Sequence, residues 1–197
     1  MNIGYIIGEL AQFVWLFPPF RQYKSNFFYY FLIMALSDPL GMLFRYFHIS
    51  YPYALYPFTS GVLIIPVIAL NKKIRWSVTL PFLAGMLALG LSYRHRNIGL
   101  ITAANFLVLF FYVIRYVTVF ASKYRYISFF HILLLIYNAS LVFKLINFVL
   151  DYQKGLIYFY FSSAFGIAVA VLFCIFREKD KRFSIKLAGP EEIESIS

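Results

Sequence analysis

At 197 residues, 62% hydrophobic and with a mean hydropathy of +0.75, the chain carries more apolar side chain than a soluble domain of its size can bury. Its net charge of +10 is split into short basic clusters between apolar runs, which argues against a nucleic-acid-binding face and for membrane topology. The single cysteine, Cys174, excludes an intrachain disulfide.

The apolar runs are continuous rather than alternating, so the expected fold is an all-α membrane bundle and not a β-barrel. Seven runs have lengths suited to a hydrocarbon core about 30 Å thick. The first covers residues 3–17 and ends at Pro18-Pro19; without a basic leader or a small-residue cleavage site, it reads as a retained span. The second covers 27–47 with Pro39 inside it, the third 54–70 with Pro66, and the fourth 76–91 with Pro81. Prolines inside spans are tolerated where neighbours satisfy the freed carbonyls. The fifth covers 98–120, the sixth 126–150 and the seventh 156–176. Residues 1–176 thus form one seven-helix domain, and 177–197 a short tail, basic and then acidic, expected to be disordered or docked on a partner.

Charge sets the orientation. With the N-terminus outside, Arg21, Lys24, Lys72, Lys73, Arg75, Lys123, Arg125 and the basic tail residues all lie on the cytoplasmic side. Only Arg45, Arg94, Arg96 and Lys154 then lie outside. This positive-inside pattern predicts N-out, C-in insertion in the plasma membrane, which is the inner membrane in a bacterial cell.

The sixth span organises the rest. Tyr137, Ser140, Lys144, Asn147 and Asp151 step by three and four residues and make one polar stripe on a helix. A lysine at the centre of a bilayer costs about 3 kcal/mol on insertion scales, so Lys144 calls for a counter-charge. Before the tail the only acids are Glu9, Asp38 and Asp151. At 1.5 Å per residue, Glu9 and Lys144 lie roughly 9 Å below the outer ends of their spans and Asp38 roughly 13 Å. The expected cluster is Glu9 and Asp38 around Lys144, with Gln12, Asn105, Tyr137, Ser140 and Asn147 completing a polar layer open to the outside. A register-fixing buried ion pair, or a lysine that snorkels alone, reads the same residues more simply. Ser162, Gly166 and Ala170 form a small-residue stripe whose expected use is helix packing. The inner half is expected to be dry apart from Arg115, His131, Thr118 and several tyrosine hydroxyls.

Catalytic and metal-binding patterns are missing. His48, His95 and His131 are far apart, and no His, Cys and acid set has metal-ligand spacing. No Walker loop, GxSxG or HExxH occurs, so neither an enzyme nor a cofactor is expected. In span number and orientation the chain resembles microbial rhodopsins, but the seventh span lacks their retinal-bearing lysine.

Leu16-Phe17, the basic stretch after it and Asp38 loosely echo Leu109-Phe110, Arg115 and Asn138 half a chain later. In this the chain resembles the PQ-loop and sugar-exporter families, whose plan is three helices, a linker helix and three more. That family's Pro-Gln is replaced by Pro18-Pro19, and the fifth and sixth spans contain no proline. The leading expectation is a receptor-like sensor or accessory subunit. An outward polar cavity would take a small molecule or a partner helix, and the basic cytoplasmic face would dock an effector protein or anionic lipid. The alternative is a small-solute transporter, driven by protons through Asp38 or Glu9.

Overall fold

The computed structural model describes residues 3–47, 55–71, 76–92, 95–149, 155–180 and 183–187. The chain is mostly helical, as the apolar runs require. Its elements are α1 (Ile3–Trp15), α2 (Pro18–Arg21), α3 (Phe28–Tyr46), α4 (Leu55–Asn71), α5 (Trp76–Ser92), α6 (His95–Tyr124), β1 (Tyr126–Ser128), α7 (Phe129–Val149), α8 (Gly155–Ile175) and β2 (Ser184–Lys186). Within α6 and α7, Gly99–Tyr124 and Phe129–Asn147 are long and apolar enough to cross a membrane; Tyr56–Leu70 and Tyr160–Ile175 are apolar but shorter.

Six helices pack as a ring in chain order. α1 lies against α3, α3 against α4, α4 against α6, α6 against α7, α7 against α8, and α8 closes back on α1. α5 packs outside this ring on α4, where Phe82, Leu83 and Met86 surround the open side of Gly61. The centre is aromatic. Phe31 meets Phe173 at 4.7 Å and Phe130 at 6.0 Å between ring centroids, and Trp15 meets Tyr137 at 4.7 Å. Edge-to-face pairing of such rings adds to what their burial contributes. The Trp15 indole lies over Gly166, and Ala170 is fully buried, so the small-residue stripe is where α1 approaches α8.

Pro18-Pro19 does more than end the first helix. The last turn of α1 tightens, with the Leu16 N–H donating to the Phe13 carbonyl and the Phe17 N–H to that of Val14. The chain then restarts as α2 with Pro18 at its first position, where a missing N–H costs nothing. Both prolines are buried.

The segment after α8 folds back on the chain. β2 pairs antiparallel with β1, in the register Tyr126 with Lys186, Ile127 with Ile185 and Ser128 with Ser184. The Leu187 N–H donates to the Arg125 carbonyl at 3.0 Å, extending the ladder by one bond. Residues 177–180 and 183–187 are therefore docked on their own bundle, and the all-α expectation gains a two-stranded ribbon. The strap end below means the end of the bundle carrying α2 and this ribbon; the far end is the opposite one.

Candidate functional site

The densest set of polar contacts between different elements lies at the strap end. Gln22 follows α2 directly, and its Nε2 donates to the carbonyls of Phe173 and Phe176, both at 2.8 Å. These are carbonyls at the end of α8 that the helix cannot satisfy itself. Four residues on, Asn26 donates twice to Glu178: its backbone N–H to Oε2 and its Nδ2 to Oε1, both at 2.9 Å. From α6 the Tyr116 hydroxyl donates to Oε1 of the same carboxylate at 2.6 Å and accepts from Asn26 Nδ2 at 2.9 Å. Glu178 is 1% exposed, and its partners explain why a carboxylate is tolerated there. One side chain thus ties the entry to α3, the strap end of α6 and the exit of α8.

Beside this carboxylate lies a histidine cage. His131 is fully buried in the first turn of α7, its ring 4.3 Å from Phe120 and 6.1 Å from Tyr116 between centroids. Its Nδ1 is 2.6 Å from the Ser128 hydroxyl, at the last residue of β1, while Nε2 is buried without a hydrogen-bond partner among the described residues. Deeper in the bundle, Tyr30 donates to Asn138 Oδ1 at 3.2 Å, linking α3 to α7. Most polar groups at this end meet partners inside the bundle, with His131 Nε2, Gln22 Oε1 and Ser25 Oγ as exceptions among the described residues.

Residues of the expected outer cluster are placed as follows. Tyr137 is buried on Trp15 and Phe173. Ser140 donates to the Tyr137 carbonyl at 2.7 Å and Asn147 Nδ2 to that of Phe143 at 2.9 Å, so both spend their protons on their own helix. Asn105 is buried, and its Nδ2 reaches the Pro57 carbonyl at 3.1 Å and Ser60 Oγ at 3.0 Å, joining α6 to α4. Glu9 and Lys144 are exposed on α1 and α7. Gln12 is half-buried, with Oε1 enclosed and without a hydrogen-bond partner. The Asp38 side chain and all of Asp151 lie outside the described residues, and with them the part of the Lys144 cluster that would decide it.

Gln22, Asn26, Tyr30, Ser128 and Glu178 escape the sequence reading, and Asn138 enters it only through the half-chain echo. The spacing of Gln22 and Asn26 by one helical turn, just after a Pro-Pro break, is the one signal that singles them out. Glu178 carries none, since it sits in a mixed-charge run that reads as solvated tail. Among the described residues no group of His, Cys, Asp and Glu could hold a metal ion. The class the geometry defines is a helical bundle with membrane-length helices and a self-docked C-terminal strap. No known protein family, curated protein or solved structure matches the chain.

Proposed function

We propose that the chain is a seven-span plasma-membrane protein, N-out and C-in, acting as a receptor-like sensor or accessory subunit with its strap end in the cytoplasm. The observation that carries the membrane part is the outer surface. Phe13, Phe111, Phe143 and Phe161 are 58%, 61%, 64% and 71% exposed, on four different helices, while the cross-helix polar bonds are turned inward. A water-soluble bundle would bury such rings; a lipid-facing one presents them. The basic clusters favour this orientation, because Arg21, Lys24, Lys123, Arg177 and Lys179 all lie exposed near the strap end.

The signalling part rests on how the strap is held. Glu178 touches three elements at once, so a shift of α3 or α6 alters what keeps the strap in place. A ligand entering near Glu9, Gln12 and Lys144 would act through its different affinity for the two arrangements, and an effector protein would sense the strap end. No catalytic step and no cofactor enters this reading. Mild-detergent purification tests it: a stoichiometric cytoplasmic protein lost in Glu178→Ala supports the proposal, and a chain that purifies alone in both forms counts against it.

One observation favours transport as a second reading. The ring places α1, α3 and α4 on one side and α6, α7 and α8 on the other, with α5 peripheral between them in sequence. This is compatible with a three-plus-one-plus-three plan. Solute uptake by proteoliposomes, abolished in Asp38→Asn, would replace the sensor proposal with a transporter.

A further inference from the structure

A groove of about 500 Å³ runs down the outside of the bundle between α6, α7 and the strap. Its floor is Ile114, Val117 and Leu135, and Leu187 of the strap lies at its upper rim. One wall is polar. Thr118 and Ser122, four residues apart, share a face of α6, and Arg125 follows directly after that helix ends at Tyr124; all three are exposed. Thr118, Ser122 and Arg125 line the groove itself. The Thr118 hydroxyl donates to the Ile114 carbonyl at 3.0 Å, leaving its oxygen to accept, while Ser122 has no hydrogen-bond partner among the described residues.

The backbone presents Arg125 to the groove. Arg125 has φ 58°, a left-handed conformation that glycine adopts without steric cost and an arginine does not. Its N–H donates to the Ala121 carbonyl at 2.9 Å and its carbonyl accepts from Leu187, so the backbone holds this side chain at the groove mouth. A guanidinium fixed beside an apolar groove suits an anionic oxygen brought to it.

We infer that this groove binds one anionic phospholipid: the headgroup phosphate on Arg125 and Ser122, and an acyl chain on Ile114, Val117 and Leu135. The charge of the wall and the apolar floor fit the two ends of such a lipid and fit no purely polar ligand. The inference rests on the membrane reading above.

The test uses the full chain, delipidated in a neutral detergent, with native mass spectrometry and thermal unfolding as readouts. Phosphatidylglycerol is expected to bind at least about fivefold more tightly than phosphatidylcholine of the same chains, because choline cancels the phosphate charge that Arg125 would meet, a difference of about 1 kcal/mol per basic residue. Arg125→Gln should abolish that preference, Val117→Trp should reduce binding of both lipids, and Lys179→Gln, outside the groove, should leave both unchanged. Equal binding of the two lipids, or an unchanged preference in Arg125→Gln, overturns the site, as does competition by soluble glycerol phosphate as strong as by the lipid. A chain that stays monodisperse without detergent would instead overturn the membrane reading itself.

Discussion

The two ends of the bundle hold their polar side chains in opposite ways. At the strap end, Gln22, Asn26, Tyr116 and Glu178 spend their hydrogen bonds on other elements. Toward the far end, Ser140 and Asn147 turn back to carbonyls three and four residues earlier on their own helix, and Asn105 reaches across to α4. A polar residue in an apolar helix is therefore not yet evidence of a site; where its proton goes decides what it fixes. A self-bonded hydroxyl or amide is satisfied at no tertiary cost and leaves helix positions free. A cross-bonded one ties two elements in register and makes its removal expensive.

Substitutions can break or sharpen that contrast. The largest effect is expected from Glu178→Ala, which leaves the Asn26 N–H, the Asn26 amide and the Tyr116 hydroxyl without their acceptor. A loss of about 2 kcal/mol follows from removing charge-assisted bonds whose donors, the exposed Asn26 and half-buried Tyr116, can turn in part to water, read as a lower midpoint in denaturant titration of the detergent-solubilised protein. Glu178→Gln keeps one acceptor oxygen and should lose less. Asn105→Leu comes next, at about 1 kcal/mol, because one cross-helix amide goes but the Ser60 hydroxyl still has the Pro57 carbonyl at 3.0 Å. Ser140→Ala and Asn147→Leu should be smallest, within about 0.5 kcal/mol of the parent. A Ser140→Ala cost equal to that of Glu178→Ala would erase the distinction between the two ends.

Much of the helical framework could be read from the residues. The apolar runs at 54–70 and 76–91 became Leu55–Asn71 and Trp76–Ser92, since an uninterrupted apolar stretch bounded by polar loops leaves little choice of period or length. Two kinds of feature could not be read. Pro18-Pro19 looked like a stop, yet the same φ restriction that ends α1 suits the first turn of α2, and only the burial of both rings shows which prevails. The polar layer was assigned by depth, and depth is blind to bond partners. Tyr137 and Asn138 are adjacent in sequence, yet one packs against Trp15 while the other accepts from Tyr30. Glu178 was the hardest to see, because its partners Asn26 and Tyr116 lie 152 and 62 residues away.

The strap itself offers the most direct test. Ser128 and Ser184 face each other in the antiparallel register, at a backbone separation that suits a disulfide. In a Cys174→Ala background, the pair Ser128→Cys and Ser184→Cys should cross-link within one chain on mild oxidation in native membranes, whereas Ser128→Cys with Lys179→Cys should not. Free labelling of the cysteine at position 184 by a membrane-impermeant maleimide in inside-out vesicles, with no cross-link formed, would contradict a docked strap and remove the basis for signalling through it.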